Sequence, residues 1–504
     1  MNHDLIFLHL DEVRDLFRNP GVRSVGILYG FLSLLLVGTA PSLANEGFPG
    51  ATYLGGSRYD GIRALAIHPI SGKVYVTGTT TSFDFPGTTG GFQPAINGLG
   101  AAFVARLDAS LSKLEQATFF GGNFNLNGVT EDPHAIAFDP ASGAVYVAGY
   151  TPSCSLPQTA GGAQPKCTGD GDDGFIARFD ESLTRLEQAT YLGGSDLDEI
   201  QSLAVDPFSG DVYAAGRTHS ADFPGTDGGA QPAKATYCAG FVARLNSALT
   251  SLAGATYLNG CGARIAIRPG LGDVYAATLD GFLFRLDRTL AIVRQSNSID
   301  ASFVEALVLN TAARAVYIAG TWRESESLVD HGFVGLLDED LNVIETRRRI
   351  GGDGADPVRT LAVHPITGDV YVAGSTLLKS LPGTTGAVQP ANSGSSDAFI
   401  VRFDPGLDTI KAATFLGGSN WDEAVAVAID PVAGHLYVAG TTYGDFPTTV
   451  GATQRDSAGG ADAFLAHMTS ELASSSLRPR DHPAPPRSSP RTSPRTVVRP
   501  ASNP

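Results

Sequence analysis

Five carboxylates recur at one place in the sequence. Asp60, Glu131, Asp198, Asp356 and Asp422 each stand nine residues before a proline, at Pro69, Pro140, Pro207, Pro365 and Pro431. Carboxylates gathered at one mouth of a channel could hold a hard cation such as Ca²⁺, which takes oxygen ligands. The same groups could instead each accept backbone N–H groups within their own turn. A second acidic stretch, Asp170-Gly171-Asp172-Asp173-Gly174, alternates oxygen donors with glycine but lacks the terminal glutamate of a calcium loop. It reads either as a weak Ca²⁺ candidate or as a solvated acidic turn. No other cofactor is indicated.

Other chemistry is poorly represented. Nothing resembles a nucleophile elbow, a zinc-binding His-x-x-x-His or a phosphate loop. His68 and His364 occupy the place that Asp139, Asp206 and Asp430 take elsewhere, which marks them as turn residues. Cys154, Cys167, Cys238 and Cys261 have no Cys-x-x-Cys spacing for zinc or redox work. In an exported chain an even count predicts disulfides, and four cysteines allow three pairings. Cys154 and Cys167 flank one loop and are paired, which leaves Cys238 with Cys261; buried free thiols are the alternative. A net charge of −16 excludes the basic face that nucleic acid requires.

The elements that must position these residues are hairpins. Ala135 to Gly149 is an alternating apolar run, a Pro-x-Ser-Gly turn and a second alternating run centred on Tyr146. The pattern returns around Tyr75, Tyr213, Tyr275, Tyr317, Tyr371 and Tyr437, which makes seven copies. A third run ending in Arg106, Arg178, Arg244, Arg285 or Arg402 follows, then a fourth ending in Gly-Gly. Four antiparallel strands (A to D) repeated seven times predict an all-β, seven-bladed β-propeller, because one four-stranded sheet cannot bury both faces alone. The strand-D signature Ala51 to Gly56 precedes any strand A, so an N-terminal outer strand completes the last blade and closes the ring. The arginines read as pairing between blades and the tyrosines as core.

The connection from B to C sets the copies apart. Tyr75 to Arg106, Tyr213 to Arg244 and Tyr371 to Arg402 each span 31 residues and Tyr146 to Arg178 spans 32, but Tyr275 to Arg285 spans 10 and Tyr317 to Leu336 spans 19. Blades one, two, three, six and seven thus carry a long loop. This predicts a horseshoe wall around one rim with a notch at blades four and five.

The ends of the chain read differently. Arg18 and Arg23 precede the apolar run Val25 to Val37, and Ser42-Leu43-Ala44 offers a cleavage site. That pattern predicts a leader and secretory signal over 1–44. An uncleaved anchor is the alternative, but Thr39, Pro41 and Ser42 interrupt the run before spanning length. The propeller then covers 45–474. Residues 475–504 are rich in Pro, Arg and Ser, as a disordered tail is.

Gly78 to Pro86 reads Gly-Thr-Thr-Thr-Ser-Phe-Asp-Phe-Pro, and Asp222-Phe223-Pro224 and Asp445-Phe446-Pro447 repeat its end. Gln-Pro follows at Gln93, Gln164, Gln231 and Gln389. With the Thr-Tyr-Leu-Gly-Gly strand, these residues resemble the bacterial SBBP β-propeller repeat family over about residues 50–470; copies four and five keep the hairpin but lose the loop motif. The resemblance implies a seven-bladed propeller on an exported or surface protein and brings no catalytic motif.

Together these features predict a secreted, periplasmic or surface monomer with no spanning segment after processing. It would be a non-catalytic binding or scaffold protein that contacts a glycan, protein or envelope partner through the long-loop rim. Asp84, Asp222 and Asp445 would support the loop bases. A lyase or hydrolase at the channel mouth is the alternative, and it would show as non-repeating polar residues converging on the axis.

Overall fold

The turn between strands A and B needs one residue in the left-handed region, where a side chain is strained and glycine is not. Gly72, Gly143, Gly210, Gly272, Gly368 and Gly434 meet that need, with φ between 65° and 74°. A computed structural model of the chain describes residues 50–122, 130–169, 171–299, 301, 303–323, 330–351 and 356–473. The leader, residues 1–44, and the tail, residues 475–504, lie outside the described residues. Ala44–Pro504 forms one compact unit.

Seven four-stranded antiparallel sheets occur among the described residues. Strand β1 (Gly50–Leu54) comes first in the chain; β2 (Asp60–Ile67), β3 (Val74–Thr80), β4 (Ala101–Leu107) and β5 (Leu114–Phe120) then form the first blade in order. Strand β1 does not join them. It pairs with β28 (Asp462–Met468), Gly50 opposite His467 and Leu54 opposite Ala463, and so supplies the outer strand of the seventh blade. The ring is closed by the two ends of the repeat region, as the surplus strand requires.

The strand-B tyrosines join the blades. Tyr75, Tyr146, Tyr213, Tyr275, Tyr317, Tyr371 and Tyr437 are buried to 2% exposure or less. Each hydroxyl donates to a carbonyl in the C–D turn of the next blade: Glu181, Ser247, Arg288, Glu339, Pro405, Ser470 and Ala109, at 2.6 to 2.9 Å. The last bond, Tyr437 to Ala109, runs from blade seven back to blade one. Arg106, Arg244, Arg285 and Arg402 reach the same carbonyls as four of the tyrosines, so the strand-C arginines also pair between blades.

The C–D turn of each of the first six blades, and the turn after strand C in the seventh, also holds a leucine at positive φ: Leu111, Leu183, Leu249, Leu290, Leu341, Leu407 and Leu472, from 55° to 65°. That conformation costs a side-chain residue about 1–2 kcal/mol. All seven side chains are 1% exposed or less, so core burial offsets the strain. The turn thereby aims the leucine carbonyl outward, toward the preceding blade's outer strand.

The long loops do not stand up as a wall. Each folds back along strand D of its own blade and pairs with it. In blade one Ala117 N–H donates to Gly87 O (2.8 Å) and Phe119 N–H to Gln93 O (2.9 Å); equivalent pairs join Ala189 and Tyr191, Ala255 and Tyr257, and Ala413 and Phe415 to their loops. In blade seven Tyr53 N–H donates to Gln454 O. The physical reason is the open edge: strand D is outermost, and its N–H groups need acceptors. The Gln-Pro element fixes the strap, since Gln93, Gln164 and Gln389 accept the first glycine N–H of Gly121, Gly193 and Gly417 through Oε1.

Candidate ligand site in the central channel

Strand A of most blades carries a β-bulge. The pairing register slips at Arg63, His134, Gln201, Glu305, Arg359 and Val425, six residues before the turn proline or its equivalent. A bulged residue is unpaired and its side chain is re-aimed. Blade four has a shorter strand A without a bulge, and Arg264 opens it. These seven residues, one per blade, all line a single cavity of about 490 Å³ on the propeller axis.

Arginine stands at three of the seven places and His, Gln, Glu and Val at the others, and the polar ones join a chain of ion pairs and hydrogen bonds across blades. Arg63 grips Asp132 with two hydrogen bonds, 3.1 and 3.2 Å. His134 lies between Asp132 (3.4 Å) and Glu199 (3.1 Å). Glu199 also meets Arg217 at 2.7 Å and accepts from Gln201 at 3.0 Å. Arg264 donates to the Gln201 carbonyl at 3.3 Å and to Glu305 at 3.1 Å. Arg359 bridges Glu305 (3.3 Å) and Glu423 (2.8 Å). Among the described residues no side-chain contact joins Glu423 to Arg63, so the chain is open between blades seven and one.

The electrostatics follow from that geometry. Burial pulls the His134 pKa down, but hydrogen bonds and charge from Asp132 and Glu199 outweigh it and the net shift is upward. Burial would raise the Glu199 pKa; His134 and Arg217 instead bring it to about 2. The two carboxylates therefore favour the protonated form of the imidazole between them.

The entering carboxylates sit elsewhere. Asp60, Glu131, Asp198, Asp356 and Asp422 are 5% exposed or less and turn back into the blade junctions, away from the cavity. Asp60, Glu131, Asp198 and Asp422 accept the second glycine N–H of Gly-Gly, from Gly56, Gly122, Gly194 and Gly418, at 2.7 to 2.9 Å. Ser82 and Ser220 add hydroxyls at 2.8 Å to Asp60 and Asp198, and Thr376 donates to Asp356. This is the turn-capping arrangement. The first glycine is needed for space: a Cβ on Gly55, Gly193 or Gly417 would collide with a pair of aspartates, Asp60 and Asp462, Asp198 and Asp173, or Asp422 and Asp397. Burial raises the pKa of Asp60, Asp173, Asp198 and Asp422 to about 6 against those hydrogen bonds.

In the second acidic stretch, Asp170 lies outside the described residues. Asp173 opens its strand and accepts Thr168 N–H at 2.7 Å, while the Asp172 carbonyl receives Asp198 N–H at 2.8 Å. Among the described residues no three His, Cys, Asp or Glu side chains converge as a metal site. Asp84, Asp222 and Asp445 accept the N–H and hydroxyl of Ser57, Ser195 and Ser419, which ties each loop base to its D–A connection.

Both disulfides form as paired from the sequence, Cys154–Cys167 within the blade-two strap and Cys238–Cys261 across the junction of blades three and four. At that junction Gly260 stands where other blades place the carboxylate, and the disulfide supplies the tie instead. Two disulfides fit an oxidising compartment. No helix among the described residues is long and apolar enough to cross a membrane.

The chemistry expected from the sequence lay at the position that repeats, Asp60 and its counterparts. The channel position lies three residues further on, and its signal is the opposite: Arg, His, Gln, Glu, Arg and Val succeed one another at one place in an otherwise fixed framework. No curated protein matches the chain. Residues 189–224, which run from the end of one strand D through a full A–B hairpin to Asp222-Phe223-Pro224, match the family model for the SBBP beta-propeller repeat. The ring of seven four-stranded sheets makes the chain a seven-bladed β-propeller, and this stretch of it is similar to the SBBP beta-propeller repeat.

Proposed function

We propose that this is an exported, non-catalytic binding propeller that takes a glycan of the cell envelope at the mouth where the B–C and D–A connections lie. The observation that carries this reading is the mixed ring at the channel, arginine in three blades among His, Gln, Glu and Val, with its charged members already ion-paired. A structural girdle needs only one pair repeated seven times, whereas a ligand selects different groups around itself. The same mouth presents aromatic rings to solvent: Tyr59, Phe83, Tyr237, Phe282, Phe303 and Tyr443 are 38–76% exposed. Flat rings with polar groups beyond them suit a sugar strand laid across the opening. The reading requires no cofactor, and the buried aspartates serve the scaffold.

The ring also supports a second reading, a lyase or hydrolase at the channel mouth, because polar groups converge on the axis. Against it, both nitrogens of His134 are spent on carboxylates, and each arginine of the ring is ion-paired. A general base needs a free lone pair within reach of its proton.

The test is binding to isolated sacculi and to soluble acidic and neutral glycans. Arg359→Ala with Glu423→Ala should weaken binding by about tenfold or more, the scale for losing charged hydrogen-bond partners. Unchanged affinity in a folded double variant would leave the ring as a girdle. Turnover of any of these glycans, abolished by His134→Gln, would favour the enzyme.

A further inference from the structure

The face opposite that mouth carries a feature unrelated to the channel reading. The A–B turns surround the other end of the channel, and the residue at or beside each tip is apolar in every blade: Ile70, Ala141, Phe208, Leu271, Ala312, Ile366 and Val432. Turn tips ordinarily carry polar residues. Here Ile70 is 80% exposed, Phe208 76%, Leu271 59%, Ile366 78% and Val432 77%. A single exposed apolar residue needs no explanation, but one at every tip of a repeat does.

The tips are held rigidly outward. In five of the seven blades a buried side chain beneath accepts the tip N–H: His68 Nδ1 from Ile70 (3.3 Å), Asp139 from Ala141 (3.0 Å), Asp206 from Phe208 (2.9 Å), His364 Nδ1 from Ile366 (3.2 Å) and Asp430 from Val432 (2.8 Å). Charges near the tips are spent on one another, as Lys73 with Glu115 (3.0 Å), Arg268 with Glu339 (2.7 Å) and Arg244 with Asp211 (2.8 Å). What this face offers a partner is therefore its apolar points.

We propose that this face docks on an anionic lipid surface, with the seven tips entering the headgroup boundary. Three observations single out that occupant. Pseudo-sevenfold repetition sets the tips at one level, which suits a planar partner. They are separate points, not a continuous patch, so each inserts by itself into a fluid surface, while a rigid protein partner would have to match all of them. Finally, strand β28 runs toward this face, and the described residues end five positions beyond it, at Ala473. The sequence beyond carries Arg478, Arg480, Arg487, Arg491, Arg495 and Arg499 against Asp481 alone, in a chain whose net charge is otherwise acidic. Apolar insertion combined with a basic segment is the two-part attraction that holds a protein on anionic lipid.

The experiment is vesicle flotation of residues 44–504, the compact unit, since the apolar run at 25–37 would bind lipid by itself. The probes are vesicles of phosphatidylcholine alone and with three-tenths phosphatidylglycerol. The protein should float with the mixed vesicles, and Ile70→Ser with Phe208→Ser and Ile366→Ser should reduce partitioning by on the order of a hundredfold. Circular dichroism checks that the triple variant keeps its fold; if it does not, each single substitution should give a loss of roughly fivefold. Replacing the six tail arginines by glutamine should remove the preference for phosphatidylglycerol. Failure of the wild type to float, or equal flotation of a folded triple variant, would overturn the proposal. So would a dimer in solution that the triple variant dissociates, which would make a second copy the occupant.

Discussion

Blades one, two, three, six and seven differ from blades four and five in how they treat the same liability. Every strand D is an edge with unpaired N–H groups, and every C–D turn beside it presents a leucine carbonyl. In the first group a strap from the B–C loop covers the edge and crosses to the neighbour: Phe92, Ala163, Ala230, Val388 and Thr453 donate their N–H groups to Leu183, Leu249, Leu290, Leu472 and Leu111. In the second group side chains on strand D replace the strap. Asn297 Nδ2 donates to Leu341 O at 2.7 Å and Arg348 Nε to Leu407 O at 2.8 Å. The outer strand of blade four, Val293–Ser298, is polar and alternately exposed, whereas the last four residues of β5 are all buried. Blades four and five are thus not decayed copies. They protect the edge with polar side chains where the others use a covering segment.

The comparison is broken most severely by removing an edge and its strap together. Deleting residues 45–56 takes away β1, on which the blade-seven strap docks through Tyr53 and Gln454. Five buried residues and a full ladder are lost, so the expected cost is several kcal/mol, with oligomers forming at the bared β28. A thermal melt with light scattering reads both. An unchanged monomeric melt would mean the strand does not close the ring.

The disulfides come next in size. Cys154–Cys167 closes a loop of 13 positions within one strap and Cys238–Cys261 one of 23 at the border of the strapless pair. Each should contribute about 3 kcal/mol through the unfolded chain. Cys154→Ala with Cys167→Ala, compared with Cys238→Ala with Cys261→Ala by denaturant unfolding, should show the second pair as the costlier. It closes the longer loop and spans a junction where Gly260 stands in place of the carboxylate. A non-reducing peptide map checks the pairing itself.

Proton linkage separates the junctions further. The folded pKa of Asp198 is raised from 3.8 to about 6, so the folded state binds its proton more tightly than the unfolded chain does. Its contribution is complete below about pH 4 and is lost as pH rises through 6. Asp198→Asn should therefore flatten the stability profile between pH 4 and 6 by on the order of 2 kcal/mol. If the slope persists in the variant, Asp198 ionises normally within its hydrogen bonds.

Much of this architecture was legible because repetition is a physical statement. A tyrosine that returns seven times must meet the same surroundings seven times, and the surplus strand at Ala51 to Gly56 had nowhere to pair but blade seven. The disulfides followed from loop placement. The loops were harder: a 31-residue connection is long enough to rise or to fold back, and only the acceptor need of strand D decides between them. The channel was hidden for another reason. Bulges such as the one at Arg63 shift the inward side chain by one residue, so period-two alternation points to the wrong position. The repeating carboxylates drew attention by their regularity, and four of them accept glycine N–H groups within the blade junctions.

The smallest effect is the most direct test of the edge comparison. Asn297→Ala leaves the Leu341 carbonyl without its donor, and Arg348→Ala does the same to Leu407. A lost hydrogen bond to a partly buried carbonyl costs about 1 kcal/mol, and slightly more where the donor is charged. Arg348 should therefore cost more than Asn297, although it is partly exposed and its second contact, Asp408 at 3.5 Å, adds little. The matching change in a strapped blade is Gln188→Ala, whose amide also donates to strap carbonyls, Gln158 at 2.8 Å and Ala160 at 3.4 Å. There the backbone bonds of Ala189 and Tyr191 still hold the strap, and the cost should fall below that of Asn297→Ala. Hydrogen exchange at the outer strands gives the same comparison locally: protection in Val293–Ser298 should drop on Asn297→Ala, while Leu186–Leu192 should barely respond to Gln188→Ala. Equal responses in both blades would mean that the side chains of blades four and five do not take over the work of the strap.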